Sequence, residues 1–144
     1  MAESGRASID IDASIDEIFD IVVDLEAYPD WVKGMKNIDV HERTEDGLPL
    51  RVTQTIDAGI KEITYTLTYS YEGNEAIRWV SEPGGDVKLI DGSYTFEMSD
   101  DGGTTVHYDL TIDPGFPVPG FMLRKASKSI MGTALDGLKA RAES

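Results

Sequence analysis

The sequence predicts an α+β fold in which a curved antiparallel sheet of seven strands is closed on one face by a long C-terminal helix. Three observations predict it. Six strand-like runs follow one another between about 37 and 113, separated by short turn signals. A stretch from about Pro119 to Ala142 has apolar residues at steps of three and four and no internal proline. One further strand and a capped helix precede them.

Taken in order, residues 6–12 (RASIDID) alternate as a strand does. Ser14 then caps a helix, with Glu17 at capping-box spacing and Asp16 and Glu17 at the positive end of the helix dipole. Ile15, Ile18, Phe19, Val22 and Leu25 form its apolar face. Pro29 ends that pattern, so 26–32 reads as a short second helix or turn. The strands are expected at 37–44, 49–56, 60–71, 76–82, 87–98 and 104–113. The breaks 45–47, 57–59, 72–74, 83–85 and 100–103 each contain glycine or asparagine/aspartate, which tolerate the backbone of tight turns. Alternation is clear in Tyr65/Leu67/Tyr69, Ile77/Trp79, Tyr94/Phe96/Met98 and Val106/Tyr108/Leu110/Ile112, with threonines between. Gly92, inside a strand, is expected to mark a bulge that bends the sheet.

The last helix places Pro119 at its first position and spans roughly 35 Å at 1.5 Å per residue. Leu123, Ala126, Ile130, Ala134, Leu138 and Ala142 make one apolar stripe, with Arg124, Lys125, Lys128, Lys139 and Arg141 on other faces. Ser127, Ser129, Gly132, Thr133 and Gly137 are weak helix formers, which points to close packing or to open space beside the helix.

With 144 residues the chain has the size of one domain, residues 1–144. No apolar run is long enough to span a bilayer, and the first residues lack a signal-peptide pattern. There is no cysteine, hence no disulfide framework, thiol nucleophile or cysteine metal site. These features favour the cytoplasm. The net charge of −14 argues against nucleic acid as a partner. Residues 119–144 nevertheless carry five Lys/Arg against Asp136 and Glu143, a net of +3, leaving −17 elsewhere. Either an acidic body neutralises this basic helix, or its exposed face meets an anionic partner or, transiently, a membrane surface.

No strong catalytic or cofactor motif is present; the Gly84-Gly85 and Gly102-Gly103 pairs sit between strands, not at a strand-to-helix turn. His41 and His107 have outward parity and read as surface histidines, so neither metal nor cofactor is expected. Asp109 is two residues from His107 and shares its parity. Arg51 and Arg78 also point outward. The inward face is unusual for a filled core. It collects Tyr65, Tyr69, Trp79, Tyr94, Phe96 and Tyr108, with Gln54 among them, whereas a dry core favours Leu, Ile and Val. Apolar rings with a few hydrogen-bonding groups suit a small amphipathic ligand.

The segments VVDLEAYPDWV (22–32), DAGIK (57–61), IDGSYTF (90–96), GTTVHY (103–108) and PVPGF (117–121) resemble the polyketide cyclase/dehydrase and lipid-transport group of the START-like (Bet v 1-like, SRPBCC) superfamily. The resemblance covers about residues 6–142 and implies a helix-grip fold, with a hydrophobic cavity between the sheet and the long helix. It leaves function open, because that fold hosts carriers and cyclases alike.

Two readings follow. In the first, the chain carries or sequesters a lipid, quinone or polyketide-like molecule. Tyr65, Tyr69, Trp79 and Tyr94 line the cavity; Phe121, Met122 and Ile130 form its lid; Trp31 stands near the mouth. In the second, it is a cyclase/dehydratase-type enzyme in which Gln54 or a buried tyrosine orients a carbonyl. A protein-interaction surface on the basic face of the helix is a third possibility.

Overall fold

The computed structural model describes residues 2–57 and 62–144. Strand β1 (Glu3–Ile11) leads to α1 (Ile15–Val23), a 3-10 turn (Leu25–Ala27) and the four-residue α2 (Tyr28–Trp31). Six strands follow: β2 (Met35–Arg43), β3 (Pro49–Asp57), β4 (Glu62–Glu72), β5 (Ala76–Ser81), β6 (Leu89–Met98) and β7 (Thr104–Asp113). Helix α3 (Gly120–Ala142) closes the chain. The expected fold class is therefore present, and the strand limits agree with the alternation within a few residues. The expected 57–59 turn and the start of the strand at 60 lie partly outside the described residues.

All seven strands form one antiparallel sheet in the order β1-β7-β6-β5-β4-β3-β2. From β2 to β7 each strand pairs with its sequence neighbour, as short turns dictate. α1 and α2 carry the chain from β1, beside β7, to β2 at the opposite edge. Threonine pairs ladder across β3 and β4 on the polar face: Thr53 meets Thr66 at 2.8 Å and Thr55 meets Thr64 at 3.0 Å, hydroxyl to hydroxyl. Ser14 caps α1 as expected, its Oγ accepting from the Glu17 amide at 3.2 Å. The Glu17 carboxylate takes the Ser14 hydroxyl in return, at 3.1 Å.

The core lies between the other face of the sheet and the helices. Ile18, Val22 and Leu25 bury against it from the first helical segment. Leu123, Met131, Leu135 and Leu138 bury from α3, and Ser127 is buried with them. This stripe differs from the expected one in its middle. Ala126 and Ile130 are exposed, while Ser127 and Met131 face inward. The reason is the helix's seat on β1 at Gly5: a Cβ there would stand 2.9 Å from Met131 Cε and 3.4 Å from Ser127 Oγ. A polar Ser127 is invisible to hydrophobic patterning, yet its small size lets the helix approach.

Three further expectations are corrected. Pro119 is the cap residue, with extended backbone (ψ 140°), and the helix starts one residue later. Met98 is 73% exposed, because the inward alternation of β6 stops at Phe96. Gly92 is not a bulge: it pairs in continuous register with Trp79 and Leu110, and the register shifts of this sheet lie between β2 and β3.

Gly132 is the converse of these tight glycines, since a Cβ added there meets nothing within 4 Å. Gly132→Ala is therefore expected to stabilise the protein by up to about 1 kcal/mol, as the backbone-entropy cost of a mid-helix glycine is removed. A higher midpoint in thermal unfolding followed by circular dichroism is the expected result; a lower one would show hidden packing at this position.

Candidate functional site

Parity along the strands aims a set of large rings at one volume. Gln54 and Ile56 come from β3, Tyr65, Leu67 and Tyr69 from β4, Trp79 from β5, Tyr94 from β6, and Tyr108, Leu110 and Ile112 from β7. Between these side chains and the helices lies a cavity of about 420 Å³. This is inside the range of roughly 300–1,000 Å³ common for small-molecule sites. Val22, Tyr28 and Trp31 wall one end. Ala126, Ser129, Ile130, Thr133 and Ala134 of α3 form the side opposite the sheet. Several lining residues are exposed, among them Lys33, Asp57, Ala126, Ser129 and Ile130, and they mark where the cavity opens.

The small residues of α3 thus do two jobs. Ser127 allows close packing on β1, whereas Ser129, Thr133 and Ala134 leave space on the cavity side. Gly92 belongs to the same economy of space. A Cβ there would lie 2.5 Å from Cε2 and Nε1 of the Trp79 indole, so the bare glycine lets the ring lie against the sheet. Trp79 then contacts Tyr94 (5.1 Å between centroids), Tyr108 (5.6 Å, edge-on) and Tyr69 (6.0 Å). Tyr94 and Tyr108 meet edge-on at 4.8 Å. Edge-on contacts set the positive ring edge against a negative ring face and hold the rings at defined angles. At the cavity end, Trp31 rests on Gly137, where a Cβ would come within 3.1 Å of its ring.

The polar groups of the cavity divide into two kinds. Gln54 is 4% exposed and engaged at both ends of its amide. Its Oε1 accepts from the Tyr65 hydroxyl at 3.0 Å, and its Nε2 donates to Tyr69 Oη at 3.3 Å. The Tyr28 hydroxyl donates to the Val22 carbonyl. Tyr94 and Tyr108, in contrast, have no protein hydrogen-bond partner among the described residues, and neither hydroxyl is sealed from solvent. The indole Nε1 of Trp31 is buried without a partner. Burial pushes the phenol pKa of Tyr28, Tyr65, Tyr69, Tyr94 and Tyr108 above the ordinary value of 10.0, because a phenolate would lose its hydration. These phenols are neutral near pH 7.

Among the nine residues picked from sequence as cavity formers, the structure brings Trp31, Gln54, Tyr65, Tyr69, Trp79, Tyr94 and Ile130 around one volume. Phe121 and Met122 are not in its wall; they are 66% and 44% exposed on the outer side of α3. The lid expected of them is not formed: Leu123 and Ser127 pack inward, which leaves Phe121 and Met122 on the exposed side of the helix. Sequence reading passed over Tyr28, Met35, Ile56 and Lys33 as wall residues. The YPDW turn was a signal for Tyr28, but its apposition to the sheet depends on the α1–β2 crossing.

The outward residues lie away from the cavity, on the polar face. His107 bonds Ser8 Oγ at 2.7 Å and Glu97 at 3.1 Å, while Asp109 pairs with Arg6 at 3.5 Å. The His107–Asp109 pair considered from sequence is thus split between two partners. His41 meets Thr53 at 2.7 Å. Arg51 pairs with Glu82 and Arg78 with Asp91, both at 2.8 Å.

A seven-stranded antiparallel sheet gripping a long terminal helix, with a cavity between them, defines a START-like helix-grip protein. The sequence matches the polyketide cyclase/dehydrase and lipid-transport family over residues 3–143, and the chain belongs to that family. No curated protein matches it in sequence. Solved structures share the fold. A START superfamily protein from Mycobacterium smegmatis superposes with a TM-score of 0.88 at 23% identity, with 97% of each chain covered. The Zhui aromatase/cyclase from Streptomyces sp. R1128 gives 0.85 at 14% identity, covering 99% of this chain and 94% of that one. The di-domain aromatase/cyclase BexL from the BE-7585A biosynthetic pathway gives 0.81 at 17% identity, covering 99% of this chain and 50% of that one.

The buried phenols set a pH signature. Their folded pKa values exceed the unfolded one, so the folded protein holds more protons above pH 10 and unfolding gains ground there. Their contribution is intact below the ordinary phenol pKa and is lost as pH rises beyond it. A spectrophotometric titration should show little phenolate absorbance at pH 10 to 11 while the fold persists, then a jump on unfolding. Ordinary titration centred on 10 would contradict the burial. Gly92→Ala is expected to cost about 1–3 kcal/mol by overpacking and to change Trp79 fluorescence; equal stability and an unchanged spectrum would show that the indole does not lie on Gly92.

Proposed function

We propose that the protein binds a hydrophobic or amphipathic small molecule, of the lipid, quinone or polyketide-like kind, in the cavity between sheet and helix, as a carrier or by sequestration. The carrying observation is an aromatic cavity of about 420 Å³ in which the Tyr94 and Tyr108 hydroxyls have no protein partner. Such groups suit a ligand that is mostly apolar and bears one or two neutral oxygens. Burial of about 200 Å² of apolar ligand surface contributes roughly 5 kcal/mol before ordering costs.

Binding is favoured over cyclase or dehydratase chemistry by the acid–base inventory. Among the described wall residues the charged groups are Lys33 and Asp57, both at the exposed rim. The interior offers phenols with raised pKa, which are poor proton donors and are not phenolate bases at neutral pH. Gln54 already spends its amide on Tyr65 and Tyr69. The family name and the aromatase/cyclase neighbours are compatible with a poly-keto ligand held without turnover.

Both tryptophans of the chain stand in the cavity wall, so intrinsic fluorescence reports occupancy. Titration with a panel of quinones, polyphenols and fatty acids is expected to give a saturable change for an oxygen-bearing member. Tyr94→Phe and Tyr108→Phe should each weaken that binding about two- to tenfold, the worth of one hydrogen bond. Thr133→Trp, which fills the cavity from α3, should abolish it. No response to any compound, or affinity unaffected by Thr133→Trp, would refute the proposal. So would turnover of a poly-keto compound that disappears in Gln54→Leu, which would favour the enzyme.

A further inference from the structure

Among the described residues, the exposed large hydrophobic side chains are concentrated in one short stretch: four of the five (Phe116, Phe121, Met122 and Ile130) fall within residues 116–130. The same stretch carries Arg124, Lys125 and Lys128, all exposed. Most other cations are paired: Arg6, Arg43, Arg51, Arg78, Lys88 and Lys139 all have carboxylate partners. Arg124, Lys125 and Lys128 have none among the described residues, in a chain with 27 acids. The neutralising acidic body expected from sequence therefore gives this half of the helix no carboxylate partner, and Lys139 pairs with Glu143 at the end of its own helix. No Asp or Glu occurs between 114 and 135, so that span is +3 and the remainder, −14 less 3, is −17.

We propose that the N-terminal half of α3, with the proline-rich approach to it, docks onto an anionic lipid surface and turns the cavity mouth toward that surface. Charge complementarity selects the partner and its orientation. The −17 body is repelled by negative headgroups, so the +3 face is the one that approaches. Phe121 and Met122 then enter the interfacial layer while the long side chains of Arg124, Lys125 and Lys128, exposed on the same stretch of helix, reach the headgroups. Among the described residues no helix is long and apolar enough to cross the membrane, so the contact is peripheral. Ile130 links the surface to the site, being both 40% exposed and part of the cavity wall. A poorly soluble ligand passing there would avoid bulk water, and in this respect the idea rests on the cavity reading. The docking itself does not need a ligand.

The test uses the full chain without added ligand. It is spun with sucrose-loaded vesicles of phosphatidylcholine alone, or with phosphatidylglycerol added, at low and high salt. Binding to the mixed vesicles at low salt is expected, with little to phosphatidylcholine and loss at high salt as screening sets in. Arg124→Glu with Lys125→Glu and Lys128→Glu should lower partitioning by about a hundredfold or more. Phe121→Ala with Met122→Ala should lower it by about tenfold. All these positions are exposed, so circular dichroism should be unchanged. No binding by the wild type, or binding unaffected by the triple reversal, overturns the proposal. A dimer in sedimentation velocity that Phe121→Ala with Met122→Ala turns into monomer would assign the face to a second copy instead. Polyglutamate binding stronger than vesicle binding, indifferent to that double variant, would assign it to an acidic protein. Because the cavity titration contains no vesicles and the vesicle assay no ligand, either idea can fail while the other stands.

Discussion

One helix cannot cover the concave face of a seven-stranded sheet, and most of the structure follows from where α3 is seated. It packs chiefly on β1 and β7, with α1 beside it. Gly5 sets the depth of that seat, because the absence of a side chain admits Ser127 and Met131. The surface over β3, β4 and β5 is left without a helix directly upon it, and there Gln54, Tyr65, Tyr69 and Trp79 stand. Aliphatic side chains in those places would be free to collapse into the gap. Rings fixed edge-to-face, and an amide held at both ends, resist collapse and preserve a volume.

The distribution of charge serves the same division of labour. The Arg51–Glu82 and Arg78–Asp91 pairs lie on the polar side of the sheet, where solvent screens them and each is worth little. The cavity interior is neutral, with phenols that burial keeps protonated. An uncharged interior lets an apolar ligand displace water without having to desolvate an ion, a cost that can exceed what the ligand returns.

Much of this was legible in the sequence, for definite reasons. Strand parity is fixed by a period of two, so Gln54, Tyr65, Tyr69, Trp79 and Tyr94 could be placed on the inward face before any coordinates. Ser14 announced α1 through local chemistry alone. What could not be read depends on contacts between distant segments. The role of Gly92 requires knowing that it stands opposite Trp79 in β5. The inward turn of Ser127 and Met131 requires knowing that Gly5 lies beneath α3, and the exposure of Phe121 and Met122, expected as a lid, requires knowing where the helix is seated. Tyr28 joined the site only through the crossing from β1 to β2.

The central claim is that a ligand occupies the space between the sheet and α3. Intermolecular nuclear Overhauser effects between a bound quinone or polyphenol and side-chain methyl groups test it most directly. The account predicts contacts to Ile56, Leu67, Ile130 and Ala134, which surround the cavity, and none to Val80, on the opposite parity of β5 from Ile77 and Trp79. Contacts confined to the outer face, or a bound ligand that reaches none of the cavity methyls, would contradict it.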